Sequence, residues 1–508
     1  MQVMMRIFKP ILLLLVAVLS CTMSCVKPGD GSTDATPSIT FSSNPLSVPA
    51  ETGRYTTKIT SSAKWTATSK VDWISDLTQT LSGNLSFQVS ENPLNSVREG
   101  SICFSFEGSS YTEDLVVCQE AWPEDLTAGV TDVKLETGGS RKAVRVFSRN
   151  WEVKAVSDTW LNAEKQGDSE LVLTADVNFY GVARSASVTV TDGSKEAVIN
   201  VAQEYSREYF KNASTLEGRK LVHGLGTMVT QVNDDKFVQV ADGLSYIHLS
   251  YTGQISGTAQ NSAFFLYEVD LTSAMDLAVT CSGDDPSSIK RVESQITAKD
   301  IIRKQLADLQ KNRPEVKVLG GVNGDFFYIE ESSKRGNLLQ GIMWRKGVCL
   351  KDTFDGGAGC SVFATMKDGT ARVMTQSEYA ASKSDIYEAL GGRQRIVQDG
   401  KAVNPSDKTL EPRTAVGVSE DGKKVYILVF DGRKSYWSTG ANYDMMAVIF
   451  LAVGAKNAIN LDGGGSSTFA LLKDNAAGTS EDDYTALNKV SDGTDRKVVN
   501  GLAIVQKQ

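Results

Sequence analysis

Asn457-Ala458-Ile459-Asn460-Leu461-Asp462-Gly463-Gly464-Gly465-Ser466-Ser467-Thr468 is the segment that carries the most chemical information in this chain. Its short apolar run, bounded by glycines, predicts a buried strand, and Asp462 stands at the strand end, where a loop can direct its carboxylate into a cleft. Three glycines let a backbone come close to a ligand with its amides free to bind an anion, and the three hydroxyl residues add donors. A plain tight turn with a capping acid is the alternative, although such a turn rarely needs three glycines and three hydroxyls together.

Two other apolar runs end in similar groups. Residues 318–322 lead into Asn323-Gly324-Asp325, and residues 425–430 lead into Asp431-Gly432. If the three strands are neighbours in one sheet, their carboxylates meet at one edge, where α/β enzymes place their ligands. The sequence therefore predicts carboxylate chemistry, with Asp462 as the first candidate for base or nucleophile, Asp431 as the second, and Asp325 as a further member of the group. Asn323 is expected to orient the substrate or a carboxylate.

Two arginines precede strand-like runs in the same region. Arg413 stands before residues 415–418, and Arg496 stands before residues 498–505. An arginine beside a carboxylate cluster suits an anionic substrate, because guanidinium binds phosphate oxygens in a bidentate way. Each arginine could instead pair with a structural aspartate, and the sequence leaves that open.

Composition excludes several functional classes. The net charge is -8 and no basic patch stands out, so nucleic acid is not an expected partner. The only two histidines, His223 and His248, give little support for a histidine base or a His-rich zinc site. Phosphate loops of the GxxxxGK[ST] type, HExxH and CxxC are absent, and Thr468 replaces the last glycine of a GxSxG elbow.

The N-terminus predicts an exported lipoprotein. Arg6 and Lys9 precede an apolar run over residues 11–19, which is too short to span a bilayer. Cys21 follows a small residue in a pattern similar to a bacterial lipobox, and Cys25 is the other candidate for lipidation. Residues 1–25 are thus predicted to be a signal and residues 26–37 a flexible tether, with the chain anchored in the outer membrane and facing the periplasm or the cell surface. An ordinary cleaved secretory signal would also export the chain.

An internal repeat with an offset of 86 residues follows the tether, as Trp65 and Trp151 show. Each copy contains short alternating runs separated by turn signals, and residues 187–191 and 197–201 predict a hairpin. Two immunoglobulin-like β-sandwiches are therefore predicted, over residues 38–122 and 126–205. The paired tryptophans are interpreted as core anchors, with sugar stacking as the alternative. Cys103 and Cys118 are expected to be small buried residues rather than a disulfide.

The pattern changes near Tyr205, and residues 206–508 mix strands with helices. Thr297 is predicted to cap a helix that runs to Asn312, and residues 443–453 predict a buried helix. The fold class expected for the whole chain is multidomain, with two all-β sandwiches followed by an α+β catalytic domain built on a mixed sheet with helices.

The two repeats resemble BACON domains, through a shared Trp…Trp…Asn…Arg…Gln-Glu pattern. The second Trp, the Asn and the Arg of this pattern are Trp73, Asn92 and Arg98 in the first copy and Trp160, Asn178 and Arg184 in the second. The resemblance implies either carbohydrate binding or a spacer that holds an enzyme away from the membrane, and we expect the spacer.

The C-terminal region is similar to the phosphodiester glycosidase family. The resemblance is carried, in order, by residues 323–327, 412–417, 431–433 and 460–468, and then by Arg496 and Asn500. It implies hydrolysis of a sugar-phosphate diester, such as a glycosyl-phosphate glycan or a nucleotide-sugar-like molecule, with no required cofactor. The residues it implies for substrate and phosphate binding are Arg413, Arg496, Gly463, Gly464, Gly465, Ser466, Ser467, Thr468 and Asn500.

Two other functions remain open from sequence. Asp325, Asp431 and Asp462 could bind Mg²⁺ or Ca²⁺ in a metal-dependent phosphodiesterase. The chain could also be a surface glycan-binding lipoprotein with an inactive enzyme-like domain. The sequence predicts neither the oligomeric state nor the natural sugar.

Overall fold

The computed structural model describes residues 36–94, 96–122, 125–148, 150–255, 258–289, 297–329, 336–403 and 405–508. The predicted signal, Cys21, Cys25 and nearly all of the tether lie outside these residues. Within them, no helix is long and apolar enough to cross a membrane. The described part of the chain separates into two compact units, one that ends at Thr127 and includes residues 147–148, and one of residues 128–146 and from residue 150 onward.

The first unit contains a β-sandwich. Its strands are β1 (Ile39–Phe41), β2 (Leu46–Val48), β3 (Gly53–Thr57), β4 (Ile59–Ser61), β5 (Trp65–Ser69), β6 (Ile74–Gln79), β7 (Leu85–Val89), β8 (Arg98–Phe106) and β9 (Thr112–Gln119). One sheet has the order β2-β9-β8-β5 and another the order β3-β7-β6, while β1 pairs with β4. Alternate residues of these strands point inward and enclose an apolar core that includes Phe87, Phe104 and Val117.

The second sandwich begins the rest of the chain. Its strands are β10 (Thr127–Ala128), β11 (Asp132–Leu135), β12 (Ser140–Phe147), β13 (Glu152–Val156), β14 (Leu161–Gln166), β15 (Glu170–Ala175), β16 (Arg184–Thr191) and β17 (Glu196–Gln203). β12, β15 and β14 lie side by side, and the facing sheet has the order β11-β17-β16-β13. The predicted hairpin is present, with β16 and β17 paired from Arg184–Gln203 to Thr191–Glu196.

The residues repeated between the two sandwiches serve the same internal contacts in each. Arg98 lies over the Trp73 ring at 4.4 Å and donates to Gln119 at 2.7 Å, and Arg184 lies over Trp160 at 4.5 Å and donates to Gln203 at 2.7 Å. These contacts, between strand residues of one domain, favour a structural origin for the repeated pattern. The two half-buried cysteines of the first sandwich, Cys103 and Cys118, form no disulfide.

The C-terminal region contains four α-helices among its described residues. They are α1 (Leu216–Leu225), α2 (Ile302–Asn312), α3 (Gln376–Ser382) and α4 (Tyr443–Ala452). Its strands are β18 (Gln231–Ala241), β19 (Leu244–Ile255), β20 (Thr258–Asp270), β21 (Met275–Cys281), β22 (Val316–Asn323), β23 (Met343–Arg345), β24 (Val348–Lys351), β25 (Ser361–Met366), β26 (Ala371–Met374), β27 (Ile386–Gly392), β28 (Arg395–Gln398), β29 (Lys401–Ala402), β30 (Arg413–Val418), β31 (Lys424–Phe430), β32 (Asn457–Asn460), β33 (Phe469–Leu472), β34 (Tyr484–Ala486) and β35 (Asn500–Lys507).

Two sheets of this region face each other across the main core. The larger has the order β18-β19-β20-β31-β30-β32-β28-β29, and the smaller has the order β21-β35-β22-β33-β34. Ile427 and Ile459 of the larger sheet belong to the same buried cluster as Val318 and Ile504 of the smaller one. α2 adds Leu306 to that cluster, while α1 and α4 cover the other face of the larger sheet. The predicted fold class, two β-sandwiches followed by an α+β domain, is confirmed.

The helix predicted over residues 443–453 is confirmed, whereas the predicted start of the helix that ends at Asn312 is wrong. α4 begins after Asn442, whose side chain accepts from the Met445 amide at 3.0 Å, as expected for a buried helix over residues 443–453. The cap predicted at Thr297 is wrong, because α2 begins only at Ile302. The preceding Asp300 is drawn into a β-bridge with Val498, so its backbone is extended rather than helical.

Candidate functional site

Asp462 lies just past the end of β32, as the sequence predicts. The strand sits between β30 and β28, and the Asp462 amide donates to the Gly324 carbonyl at 3.0 Å. The three carboxylate-bearing strands are not neighbours in one sheet, however. β31 and β32 flank β30 in the larger sheet, whereas β22 lies in the smaller one. The site is therefore formed where the ends of two facing sheets meet.

Asn323 joins these two sheets. Its amide donates to the Asp462 carbonyl at 2.6 Å, and its oxygen accepts from the Thr414 hydroxyl at 2.7 Å and the Thr468 amide at 3.2 Å. The side chain is fully buried and both of its polar atoms are used. Asn323 thus fixes the backbone that carries Asp462, which is a positioning role.

The Asp462 carboxylate is half-buried and accepts from the Gly463 amide at 2.9 Å. Burial raises its pKa to about 6, against the lowering effects of Ser466, the Gly463 amide and the charges of Arg496 and Arg393. Such a group is ionised near neutral pH yet is more basic than an exposed aspartate. It therefore suits a base or a nucleophile.

Asp325 lies behind Asp462 and is almost completely buried. Its carboxylate accepts from the Gly341 amide at 2.7 Å, and the backbone of Gly391 packs so closely that an added Cβ would lie 2.5 Å from the same oxygen. Burial raises the pKa of Asp325 to about 7, and the negative charge of Asp462 adds to that rise. The two carboxylates therefore interact, and one of them is held partly protonated near neutral pH.

Asp431 has a different environment. Its oxygens accept from the Trp437 indole at 2.8 Å, the Asn488 amide at 3.1 Å and the Lys489 backbone amide at 3.0 Å. Only 1% of the residue is exposed. These contacts join the loop after β31 to the segment around residue 489, which favours a structural role for Asp431.

Arg413 is likewise held by neighbouring groups. Its guanidinium donates to the Ala441 carbonyl, the Tyr443 hydroxyl and the Thr409 carbonyl at 3.2–3.3 Å, and it lies 4.6 Å from the centre of the Tyr443 ring. The side chain is also 3.4 Å from Asp407. Of the two alternatives left open for this arginine, its contacts favour the structural one.

Three other arginine side chains surround the glycine loop. Arg496 lies so close to Gly465 that an added Cβ would collide with its guanidinium, and Arg433 lies 3.3 Å from the Cβ position of Gly464. Arg393 follows Gly391-Gly392 at the end of β27, is half-buried, and contacts both Gln340 and the Phe326 ring. Arg496 pairs with Asp492 at 2.7 Å and Arg433 with Glu411 at 2.7 Å, yet both remain partly exposed. Sequence reasoning missed Arg393 and Arg433 as binding residues, although the Gly-Gly-Arg strand end resembles the other strand ends used to locate the site.

The amides of the glycine loop do not point to an open site. Those of Gly464, Ser466, Ser467 and Thr468 donate to acceptors within the protein. Gly464 has a positive φ of 61°, which lets the chain turn through the 3₁₀ segment Gly464–Ser466. The glycines of the loop therefore let the arginine side chains pack closely against its backbone, and these amides do not form an anion-binding nest.

Buried polar atoms without a hydrogen-bond partner gather at this site. They are Asn460 Oδ1 and Nδ2, Asn500 Nδ2 and Arg393 Nε. The side-chain oxygen of Asn500 is paired, because it accepts from the Asp325 amide at 2.9 Å. Ser467 and Thr468 contact Thr414 and the Ser466 carbonyl, respectively. Buried polar groups are normally paired, so unpaired ones around a single carboxylate indicate where a polar ligand or water binds.

A metal centre is not formed by these aspartates in the described part of the chain. No group of three or more His, Cys, Asp or Glu side chains there is arranged to hold a metal ion.

Comparison with known proteins identifies two families along this chain. Residues 317–505 match the phosphodiester glycosidase family, and residues 63–120 and 149–204 each match the BACON family of N-terminal binding domains. Both predicted resemblances are thereby confirmed. The C-terminal match is to a family of glycosidases that act on phosphodiester-linked sugars.

Individual relatives match over part of their length. The SPbeta prophage-derived uncharacterized protein YomE of Bacillus subtilis (strain 168) is 34% identical over 179 residues, which are 33% of this chain and 25% of that protein. The N-acetylglucosamine-1-phosphodiester alpha-N-acetylglucosaminidase of Bos taurus is 28% identical over 169 residues, which are 29% of this chain and 30% of that protein. The chain thus spans between a quarter and a third of these curated relatives. The auto-inhibited catalytic domain of the zebrafish enzyme of the same name matches with a TM-score of 0.39 at 19% identity, over 59% of this chain and 93% of that domain.

Proposed function

We propose that this protein is an exported hydrolase that releases a sugar from a glycosyl phosphodiester and leaves a phosphomonoester. The observation that carries the proposal is the raised pKa of the half-buried Asp462 carboxylate, about 6, beside a loop flanked by three arginines. A carboxylate with cationic side chains around it suits a substrate with both a sugar carbon to attack and a phosphate to bind. The family match of residues 317–505 supports the same class of reaction.

In this mechanism Asp462 either attacks the anomeric carbon as a nucleophile or accepts a proton from the water that attacks it. The bond between that carbon and the phosphate oxygen breaks, the oxygen leaves with both bonding electrons, and water supplies the hydroxyl of the free sugar. A phosphomonoester is a good leaving group, so a single ionised carboxylate can suffice. Arg496, Arg433 and Arg393 bind the phosphate, while Asn460 and Asn500 offer unpaired polar atoms to the substrate and the Ser466 hydroxyl lies beside the Asp462 carboxylate.

Other residues predicted for the site contact Asp462 or the groups that position it. Asn323 donates to the Asp462 carbonyl, and the Gly463 amide donates to the Asp462 carboxylate. Thr468 donates to Asn323, and Ser467 accepts from Thr414, which itself donates to Asn323. Asp325 adds a second negative charge near Asp462 when it ionises, and the charge of Asp462 contributes to the raised pKa of Asp325.

The test is an assay of the full chain with α-N-acetylglucosamine 1-phosphate diesters, UDP-N-acetylglucosamine among them. We expect free sugar from the wild type, with and without chelator, and a loss of at least about a thousandfold in kcat for Asp462→Asn at unchanged thermal stability. A folded Asp462→Asn protein with near-normal turnover would contradict the role of this residue. Loss of activity with chelator at unchanged melting temperature would favour a metal-dependent phosphodiesterase instead.

We further propose that the chain is a lipoprotein anchored through Cys21 in the outer membrane, with the first sandwich acting as a spacer. The charged, apolar and small-residue order of residues 6–21 supports this. Labelling with a radioactive fatty acid should mark the wild type and a Cys25→Ala variant but not Cys21→Ala. The reverse pattern would move the anchor to Cys25.

A further inference from the structure

The most exposed tyrosine among the described residues follows Arg433 of the proposed site by three residues. Tyr436 is 74% exposed, although it belongs to a well-defined turn in which the backbones of Lys434 and Ser438 exchange hydrogen bonds of 3.0 and 2.7 Å. A large aromatic side chain held out in water contributes little to the stability of the fold. Its ring is therefore free to contact a ligand without any change in the packing of the fold.

The turn that carries Tyr436 is fixed from several sides. Asn261 donates to the Ser435 carbonyl at 3.1 Å, and the Lys434 ammonium donates to the Val490 carbonyl at 2.8 Å. Trp437, the next residue, donates its indole hydrogen to the buried Asp431. The Tyr436 ring is thus presented by a rigid support, which lowers the entropy lost when a ligand stacks on it.

The same turn starts at the glycine loop. Gly432 packs so closely on Pro412 that an added Cβ would lie 2.7 Å from the Pro412 nitrogen, and the Pro412 carbonyl accepts from the Gly464 amide at 2.8 Å. Arg433, the following residue, lies over Gly464. Tyr436 is therefore three residues from an arginine assigned to the phosphate.

Lys489 lies beside this ring. Its ammonium is 3.7 Å from the centre of the Trp437 ring and 5.7 Å from that of Tyr436. A one-sided aromatic surface with an adjacent hydrogen-bond donor suits a pyranose, which offers C–H groups on its face and hydroxyls on its edge.

We propose that Tyr436 is a specificity-determining residue that stacks on a sugar ring of the aglycone, the part of the substrate beyond the phosphate. This inference rests on the proposed hydrolysis of glycosyl phosphodiesters and names the kind of group attached to the phosphate. Lys489 donates to a hydroxyl of the same ring. The phosphate contacts at Arg433 then place the scissile bond on one side of the turn and the aglycone sugar on the other.

The experiment compares diesters of α-N-acetylglucosamine 1-phosphate with three aglycones, namely methanol, the 6-hydroxyl of methyl mannoside, and uridine monophosphate. For Tyr436→Ala we expect kcat/KM to fall roughly 5- to 10-fold on the mannoside diester and to stay unchanged on the methyl diester. Tyr436→Phe should retain wild-type values on both. The matched control is Tyr180→Ala, since Tyr180 is 68% exposed on the second sandwich and should affect neither substrate.

Equal losses on the methyl and mannoside diesters, or no loss on either, would overturn the proposal. A loss confined to the uridine monophosphate diester would overturn it in favour of a nucleobase subsite. If the wild type hydrolyses none of the three, the proposed function fails for this sugar, and calorimetric binding of the mannoside diester to Asp462→Asn decides the subsite. Weaker binding after adding Tyr436→Ala would then support it, and equal binding would overturn it.

Discussion

At Asp462 and Asp325, burial raises the pKa of two carboxylates to different values. Burial raises the pKa of Asp462 to about 6 and that of Asp325 to about 7, and the charge of Asp462 adds to the rise at Asp325. Asp462 must be ionised to attack, so kcat/KM should rise with pH through about 6. Ionisation of Asp325 above about 7 adds a negative charge that repels the anionic diester, so kcat/KM should then decline.

The pH profile of Asp325→Asn tests this division of roles. The asparagine keeps an acceptor for the Gly341 amide but cannot ionise. The alkaline decline should therefore become shallow while the rise near pH 6 remains. An alkaline decline unchanged in Asp325→Asn would mean that another group is responsible for it.

The candidate site was partly predictable at this scale. The acid after a short buried strand identified Asp462, because a strand end followed by glycines leaves few other positions for the side chain. The structural contacts of Arg413 and Asp431 were not predictable, since their partners Tyr443 and Asn488 lie 30 and 57 residues away in the chain. A local sequence pattern does not show which distant residues will pair with a charged side chain.

At the scale of elements, Asp431 connects the loop after β31 with the segment that leads to Arg496. It accepts from Trp437, Asn488 and Lys489 while almost fully buried. Asp431→Asn removes the charge and places an amide where only acceptors fit, so the free energy of unfolding in urea should fall by about 2–3 kcal/mol. Asp421→Asn, in an exposed turn, is the matched control and should unfold like the wild type.

A catalytic Asp431 would behave differently. It would lose turnover by several orders of magnitude at unchanged stability, and that result would restore the sequence-based interpretation of this residue as a second candidate base.

The secondary-structure elements were more predictable from sequence than the pairing between them. β32 and α4 follow their apolar patterns, but the placement of β22 in a separate sheet depends on pairings with β35 and β33 that lie far along the chain.

At the scale of the molecule, the second sandwich packs on the C-terminal domain. Phe179 lies 5.6 Å from Phe210 and 5.5 Å from His223 between ring centres, and Arg219 donates to the Phe179 carbonyl at 2.5 Å. Arg219 is almost fully buried by this contact. The repeat pattern did not predict this contact, because the two sandwiches share the residues of their internal contacts but not those of this surface.

We therefore expect residues 126–508 to unfold in a single calorimetric transition. A chain of residues 206–508 should melt several degrees lower, because the surface around Phe210 loses its apolar cover. Arg219→Ala in the longer chain should lower the melting temperature in the same direction. Two separate transitions for residues 126–508, or an unchanged melting temperature for residues 206–508, would show that the sandwich is an independent spacer.

The crowding of Arg496 against Gly465 bears on how this protein could be re-engineered. No side chain fits at that glycine without moving the guanidinium, and Gly464 adopts a backbone angle that other residues rarely accept. A mutant library randomised across residues 463–465 should yield mostly inactive members. Libraries aimed at new aglycones are better restricted to the exposed Ser435 and Tyr436, because Lys434 and Trp437 hold the turn through Val490 and Asp431.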